Sequence, residues 1–230
     1  MTNAQQMYAL SLDQIATAIR HGGNKRTVLI QGHMGTGKSS LLKTLAKELP
    51  THTPCYFDCT TKDLGDISIP KLAMLDGEGS DYVTYATNEE LGAHINGPII
   101  LMVDEYGKAN PAVKNAMLRL LLERKIGSYT LHEDSIVFAT TNLGAEGVGD
   151  LLLPHARNRM TVSTARKPDN MEWIEWGINN DIDHSVLGWA KDNPQLFASF
   201  EDVKDPQENP YIYHPRDQRA AFATPRSLEA

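Results

Sequence analysis

The chain is poor in several things, and each shortage removes a class of explanation. It has two cysteines in 230 residues, Cys55 and Cys59, both in "PCYFDCT". That stretch reads as a strand, where residues i and i+4 lie too far apart to be bridged. Only His52 stands near as a further metal ligand, too few for a cage of side chains. Both thiols are therefore expected as small core residues in a reduced compartment. Long apolar runs are also missing. Residues 99–103 form one of the longest, far short of the roughly 20 residues that span a bilayer. "MTNAQQMYAL" has no basic stretch leading into an apolar one, so no secretory signal is expected. Basic residues are outnumbered, and the formal net charge of −7 argues against nonspecific coating of nucleic acid. Tyr82, Tyr85 and Tyr106 lack the interleaved Lys and Arg that stacking on single strands would need, and read as packing or partner surface.

What is present is an alternation of strand-like and helix-like segments. "LSLDQIATAIR" has helical apolar spacing with Ser11 as its cap. "RTVLIQG" is a short strand, and "GKSSLLKTLAKEL" a helix ended by Pro50. "CYFDCT" is a second strand. "PIILMVDE" is an apolar strand of the kind buried on both faces in a parallel sheet. "NPAVKNAMLRLLLERKIG" is the clearest helix, with Asn110 as cap, Pro111 in its first turn and Gly127 at its exit. "DSIVFATTN" is another buried strand. The order strand, helix, strand, helix, strand predicts an α/β fold with parallel strands, whose ligands sit at the carboxyl ends of the strands. Beyond Arg166 the pattern changes to two helices, "NMEWIEWGINN" and "HSVLGWAKDN", then a proline-rich, charged, irregular stretch. Trp173 and Trp176 share one face of the first of these helices and read as core.

"GHMGTGKS", residues 32–39, matches G-x-x-x-x-G-K-[ST] in full, with a strand before it and a helix after it. Successive backbone N–H groups in such a loop form a concave nest for phosphate, and side chains would block close approach. Gly32, His33, Met34, Gly35, Thr36, Gly37, Lys38, Ser39 and Ser40 are the candidate nucleotide-binding residues. The helix from Lys38 points its positive end at the phosphates. Lys38 is expected on the β- and γ-phosphates and the Ser39 hydroxyl on magnesium. Asp104, ending the apolar strand, can hold magnesium directly or through water, and Glu105 is placed to orient and polarise an attacking water. Adjacent acids favour hydrolysis over transfer to an acceptor. Asn142, closing "FATTN", is a candidate for holding the γ-phosphate or the lytic water. Two other readings stand beside hydrolysis: a nucleotide-gated binding module or loader with slow turnover, and a small-molecule kinase, for which the sequence offers no acceptor site.

These elements in this order resemble an AAA+ ATPase, closest to the MoxR branch and its phage-encoded relatives. The residues that carry the resemblance are "GHMGTGKS", "ILMVDEYGKANPAVKNAMLRLLLERKIG", "VFATTNLGAEGVGD", "LLLPHARNRM" and "FATPRSLE". It covers most of residues 27–165 and the last few residues, and is thin between Lys167 and Ala221. The resemblance implies a P-loop NTPase fold: an αβα domain over residues 1–166 around a five-stranded, mostly parallel sheet. A helical lid, incomplete at its C-terminus, would follow over residues 167–230. It implies Mg2+, ATP over GTP, and ring homo-oligomers, with a hexamer favoured. A protein client is also implied, with a metal-binding adhesion-type partner as the class the resemblance suggests, and the setting would be the cytoplasm of a bacterium or phage-infected host. By the same resemblance Asn142 is the sensor of the γ-phosphate. Arg159, followed by an apolar residue, fits the finger that reaches a neighbour's site, with Arg157 the second candidate. Arg226 is similar to the second sensor in the lid. "SDYVTYATNEELGAHINGP" falls where relatives insert a β-hairpin, though a plain strand and helix suits the residues equally well.

Overall fold

The computed structural model describes residues 9–72, 83–142, 158–200, 202–203, 205–217 and 221–229. Arg157 and Tyr82 lie outside them. Strand β1 is Ala9–Leu10. Ser11 then caps helix α1, Leu12–Gly22. Its hydroxyl accepts from the Gln14 N–H while the Gln14 side chain accepts from the Ser11 N–H, so two otherwise orphaned donors are satisfied. Strand β2 is Val28–Gly32, helix α2 is Ser40–Glu48 and strand β3 is Thr53–Asp58. A single helical turn, α3 (Leu64–Ile67), leads into strand β4 (Ser68–Leu72), which pairs antiparallel with β5 (Val83–Thr87). The hairpin alternative for this region is thus the one adopted. Its first strand lies upstream of the segment where the sequence suggests it, and Glu89–Leu91 is only a short 3-10 turn.

Strand β6 is Ile99–Asp104, and helix α4 is Pro111–Glu123, capped by the Asn110 side chain on the Val113 N–H. A small hairpin, β7 (Lys125–Ile126) with β8 (Tyr129–Thr130), precedes strand β9, Ile136–Asn142. Helix α4 ends earlier than Gly127 suggests. Arg124 takes the left-handed exit at φ 59°, and Gly127 at φ 54° turns the small hairpin instead. A non-glycine residue tolerates that conformation when its side chain is well held. Here the Arg124 guanidinium donates to the carbonyls of Leu121 and Gly23 and to the Thr27 hydroxyl.

Strand β10, Thr161–Ala165, completes the sheet. Six parallel strands lie in the order β1-β10-β2-β9-β6-β3, one more than the five-stranded sheet expected; β10 and the two-residue edge β1 are the two that the sequence did not mark. One face packs Phe57, Leu101, Val103 and Val137 against Val113, Met117 and Leu120 of α4. The other packs Ile30, Met102 and Phe138 against Ile15 and Ile19 of α1 and Leu41 and Leu45 of α2. The fold is a three-layer αβα sandwich with an uninterrupted apolar middle. Parallel register brings the carboxyl ends of the strands together, pairing Gly32 with Asn142 and Asp58 with Asp104.

After the sheet come helices α5 (Asn170–Ile178) and α6 (His184–Asp192). They bury Trp173, Leu187, Ala190, Leu196 and Phe197 in a cluster of their own, with Trp176 half-buried against it. Gly177 lets the helices close up, since a Cβ there would lie 2.6 Å from Leu187 Cδ2. The remaining chain is irregular and folds back over the 32–40 loop.

Candidate functional site

The loop is closed by its own bonds. The Thr36 hydroxyl donates to the His33 carbonyl at 3.0 Å, and the Ser40 hydroxyl to the Gly37 carbonyl at 2.7 Å. Helix α2 begins at Ser40, two residues later than the sequence suggests. The preceding turn is tighter, with the Ser40 N–H on the Gly37 carbonyl and the Leu41 N–H on Lys38. Gly35 and Gly37 have φ of +71° and +89°. At Gly35 there is a second constraint: a Cβ would stand 2.6 Å from Thr224 Cβ, so the returning chain packs directly on the loop. His33 is buried, with its ring edge-on to Phe200 at 5.1 Å. Met34 is half-buried.

Lys38 is buried and its ammonium donates to the carbonyls of Gly32 at 2.8 Å and His33 at 2.7 Å. A third bond goes to Asn142 Oδ1 at 3.0 Å. The other end of the Asn142 amide donates to Glu105 Oε1 at 3.3 Å. Lysine, asparagine and glutamate from three different strand ends thus form one bonded series. Glu105 sits at φ 51° in the left-handed region, which turns its side chain back toward the strand ends. Lys108, one turn on, holds Glu105 Oε2 as an ion pair at 3.0 Å.

Asp104 is buried, and its carboxylate is held on both oxygens. Oδ1 accepts from the Thr140 hydroxyl and from the Glu105 N–H, and Oδ2 accepts from the Tyr56 hydroxyl at 2.9 Å. Burial, then the bond to Asp104 and its charge, push the Tyr56 phenol well above its ordinary range, so it is a standing donor. Burial also lifts the Cys59 thiol to about 12, with the charges of Asp58 and Asp104 adding to it. Both cysteines are free and buried, as inert core thiols should be.

Beside the loop opens a cleft of about 620 Å³, between α1, the start of α2 and helix α5, with Ser11, Leu12, Lys43, Trp173, Trp176 and Arg226 among its walls. Arg226 opens a short 3-10 turn and donates to the Ser39 hydroxyl at 2.9 Å. Arg159 is elsewhere. It is exposed at the amino end of β10, about 13 Å of strand away from the carboxyl ends. The structure therefore brings together Lys38, Ser39, Asp104, Glu105, Asn142 and Arg226, and leaves Arg159 apart.

Three partners escape a reading of the sequence: Thr140, Tyr56 and Lys108. Thr140 and Tyr56 each lie two residues before a polar strand end, so they share its face. That period was available as a signal. Nothing in the sequence says that the phenol of Tyr56 reaches across to Asp104.

A protein-family match, to "ATPase family associated with various cellular activities (AAA)", covers residues 28–166. No curated protein matches the chain significantly. Among solved structures it is similar to a candidate ATPase from Cytophaga hutchinsonii at 18% identity and a TM-score of 0.52, covering 78% of this chain and 53% of that one. It is also similar to Hsp104, in a closed-state reconstruction with ATPγS and FITC casein, at 18% identity and a TM-score of 0.53, covering 77% of this chain and 37% of that one. The chain thus spans about half the length of the first and less of the second, and these likenesses speak to fold.

Proposed function

Because the chain belongs to the family of ATPases associated with various cellular activities, we propose that it binds ATP at residues 32–40 and hydrolyses it as a MoxR-like, ring-forming, magnesium-dependent ATPase. The work would be remodelling of a protein client. One observation carries the proposal: the bonded series Lys38, Asn142, Glu105, with Asp104 fixed beside it. A chance glycine-rich turn gives no reason to tie a buried lysine to an acid through an amide from a third strand.

The donor set suits magnesium, which takes hard oxygen ligands and keeps several waters. Asp104 Oδ2 accepts one protein hydrogen bond, and Ser39 offers a hydroxyl at the start of α2. These two residues would hold the ion, which when bound would neutralise charge on the β- and γ-phosphates. The chain's own groups account for the rest. Loop N–H groups and the positive end of α2 bind the phosphates, and Lys38 exchanges carbonyl partners for phosphate oxygens. Glu105, aimed by Asn142 and Lys108, orients a water and takes its proton as the water oxygen bonds to the γ-phosphorus. The bond from that phosphorus to the β–γ bridging oxygen breaks, leaving ADP and phosphate. The position of Arg159 supports a role in a neighbour's site, because it stands a strand's length from its own loop. A cation delivered in trans would stabilise the charge of the transferring phosphoryl group.

Mixing tests the ring. Arg159→Ala and Lys38→Ala proteins should each release no phosphate from ATP. Oligomers shown to contain both should regain part of the activity, since some interfaces then join an intact loop to an intact arginine. No recovery in such mixed oligomers would remove the trans assignment. Phosphate appearing on an acceptor, and not free in solution, would replace the hydrolase reading with that of a kinase.

A further inference from the structure

Tyr56 is unusual for a residue this close to the strand ends. The residue is 45% exposed, yet its hydroxyl is tied down at 2.9 Å on Asp104 Oδ2. Tyr56 pairs with Met102 and Asp58 with Asp104 in the β3–β6 register, so Tyr56 and Asp104 lie on the same sheet face. Met102 packs in the cluster that includes Leu41 and Leu45 of α2, so that face is the one covered by the helix of the 32–40 loop. The phenol therefore reaches along that face from β3 to the acid at the end of β6.

Counting lone pairs gives the bond a purpose. A carboxylate offers about four acceptor positions, two on each oxygen. On Asp104, Oδ1 has both filled, by the Thr140 hydroxyl and the Glu105 N–H. Oδ2 has one filled, by Tyr56. One position on Oδ2 remains, and its direction is set by the other three donors. Thr140 and the backbone hold one oxygen only. Without Tyr56 the carboxylate is held at Oδ1 alone, and Oδ2 offers two directions instead of one.

We infer that Tyr56 is a positioning residue for the metal-nucleotide complex, acting through Asp104: its hydroxyl leaves that carboxylate a single acceptor direction. The inference rests on the proposed reading of the site as one for nucleotide and magnesium. Partners that orient a metal-holding carboxylate typically change metal affinity or activity by 10- to 100-fold when removed. The test is Tyr56→Phe in the full chain, which keeps the half-exposed ring and deletes one oxygen. Two titrations read it, each independent of turnover: affinity for a fluorescent ADP analogue in EDTA, and the magnesium concentration that half-saturates the tightening of that affinity. The analogue should bind in EDTA within about twofold of wild type, and the magnesium midpoint should rise about tenfold. A purely structural role would lower the melting temperature and leave the magnesium midpoint alone. That result, or a wild-type protein whose affinity for the analogue ignores magnesium, would overturn the inference. Failure of the hydrolase reading is separable. Wild type would then release no phosphate from ATP while the magnesium midpoint still moved in Tyr56→Phe.

Discussion

Lys38 and Arg124 are two cations held by backbone carbonyls at opposite ends of the same strand, β2. Lys38 is buried at the carboxyl end, on Gly32 and His33. Arg124 is half-buried at the amino end, on Gly23 and Leu121, with the Thr27 hydroxyl between them. Withdrawal from water lowers the Arg124 guanidinium to about 10. Among the described residues no carboxylate pairs with it, and its Nε has no partner. Its acceptors belong to the core's own connections: the end of α4, the exit of α1 and the start of β2. Lys38 touches a side-chain amide, Asn142, which in turn touches an acid. The same chemistry thus makes a staple between core elements at one end and, on the proposed reading of the site, a contact that phosphate would displace at the other. What separates them is the company of each cation, not its burial.

Substituting the two cations should have the largest effects. Lys38→Ala should cost roughly 100-fold in ATP affinity, two charge-assisted bonds of about 1.5 kcal/mol each, with little loss of melting temperature. Fluorescence titration and thermal unfolding read the two quantities on one sample. Arg124→Ala should do the reverse. It removes the link between the exit of α1, the end of α4 and the start of β2 and should cost about 2 kcal/mol of stability by denaturant unfolding, while the folded protein binds ATP as before. If Arg124→Ala lost nucleotide at full stability, the division between staple and contact would be wrong.

A smaller effect sharpens the carboxyl end alone. Asn142→Ala removes the hydrogen bonds that link Lys38 to Glu105. Phosphate release should fall about tenfold, the equivalent of one such bond in the transition state, with ATP affinity changing less. The smallest effect concerns the region beyond the sheet. Arg166 holds the Glu172 carboxylate below its ordinary range, chiefly through their hydrogen bond. A folded-state value below the unfolded one adds stability above the ordinary carboxylate pKa, and that stability is lost as pH falls through the folded value. Below about pH 4.5 the melting temperature of wild type should therefore fall more steeply than that of Glu172→Gln. The pair is partly exposed, so the difference should be slight.

The two ends of β2 were not equally legible in the sequence. The carboxyl end announces itself, because the loop needs glycine at Gly35 and Gly37 and a lysine at a fixed offset, and these leave a pattern. Apolar runs ending in polar residues likewise gave β6 and β9, and the caps Ser11 and Asn110 gave the starts of two helices. The amino end leaves no such trace. Arg124 looks like any charge in the last turn of a helix, and its left-handed exit drew attention to Gly127 instead. Strand β10, "TVSTA", is too small and polar to stand out, and β1 has two residues and no period at all. Tyr56 and Thr140 were invisible as partners of Asp104 because their contact exists only once β3, β6 and β9 are in register. Side-chain reach across strands is a tertiary fact.

On the proposed function, the series from Lys38 through Asn142 ends on the residue that activates water. Glu105→Gln tests it most directly, since it keeps the shape and one acceptor oxygen and removes the base. Nucleotide affinity and phosphate release should be measured together in saturating ATP and magnesium. Affinity should stay within a few-fold of wild type and phosphate release should be lower by about 100-fold or more. Release at the wild-type rate from protein with Gln at position 105 would contradict it.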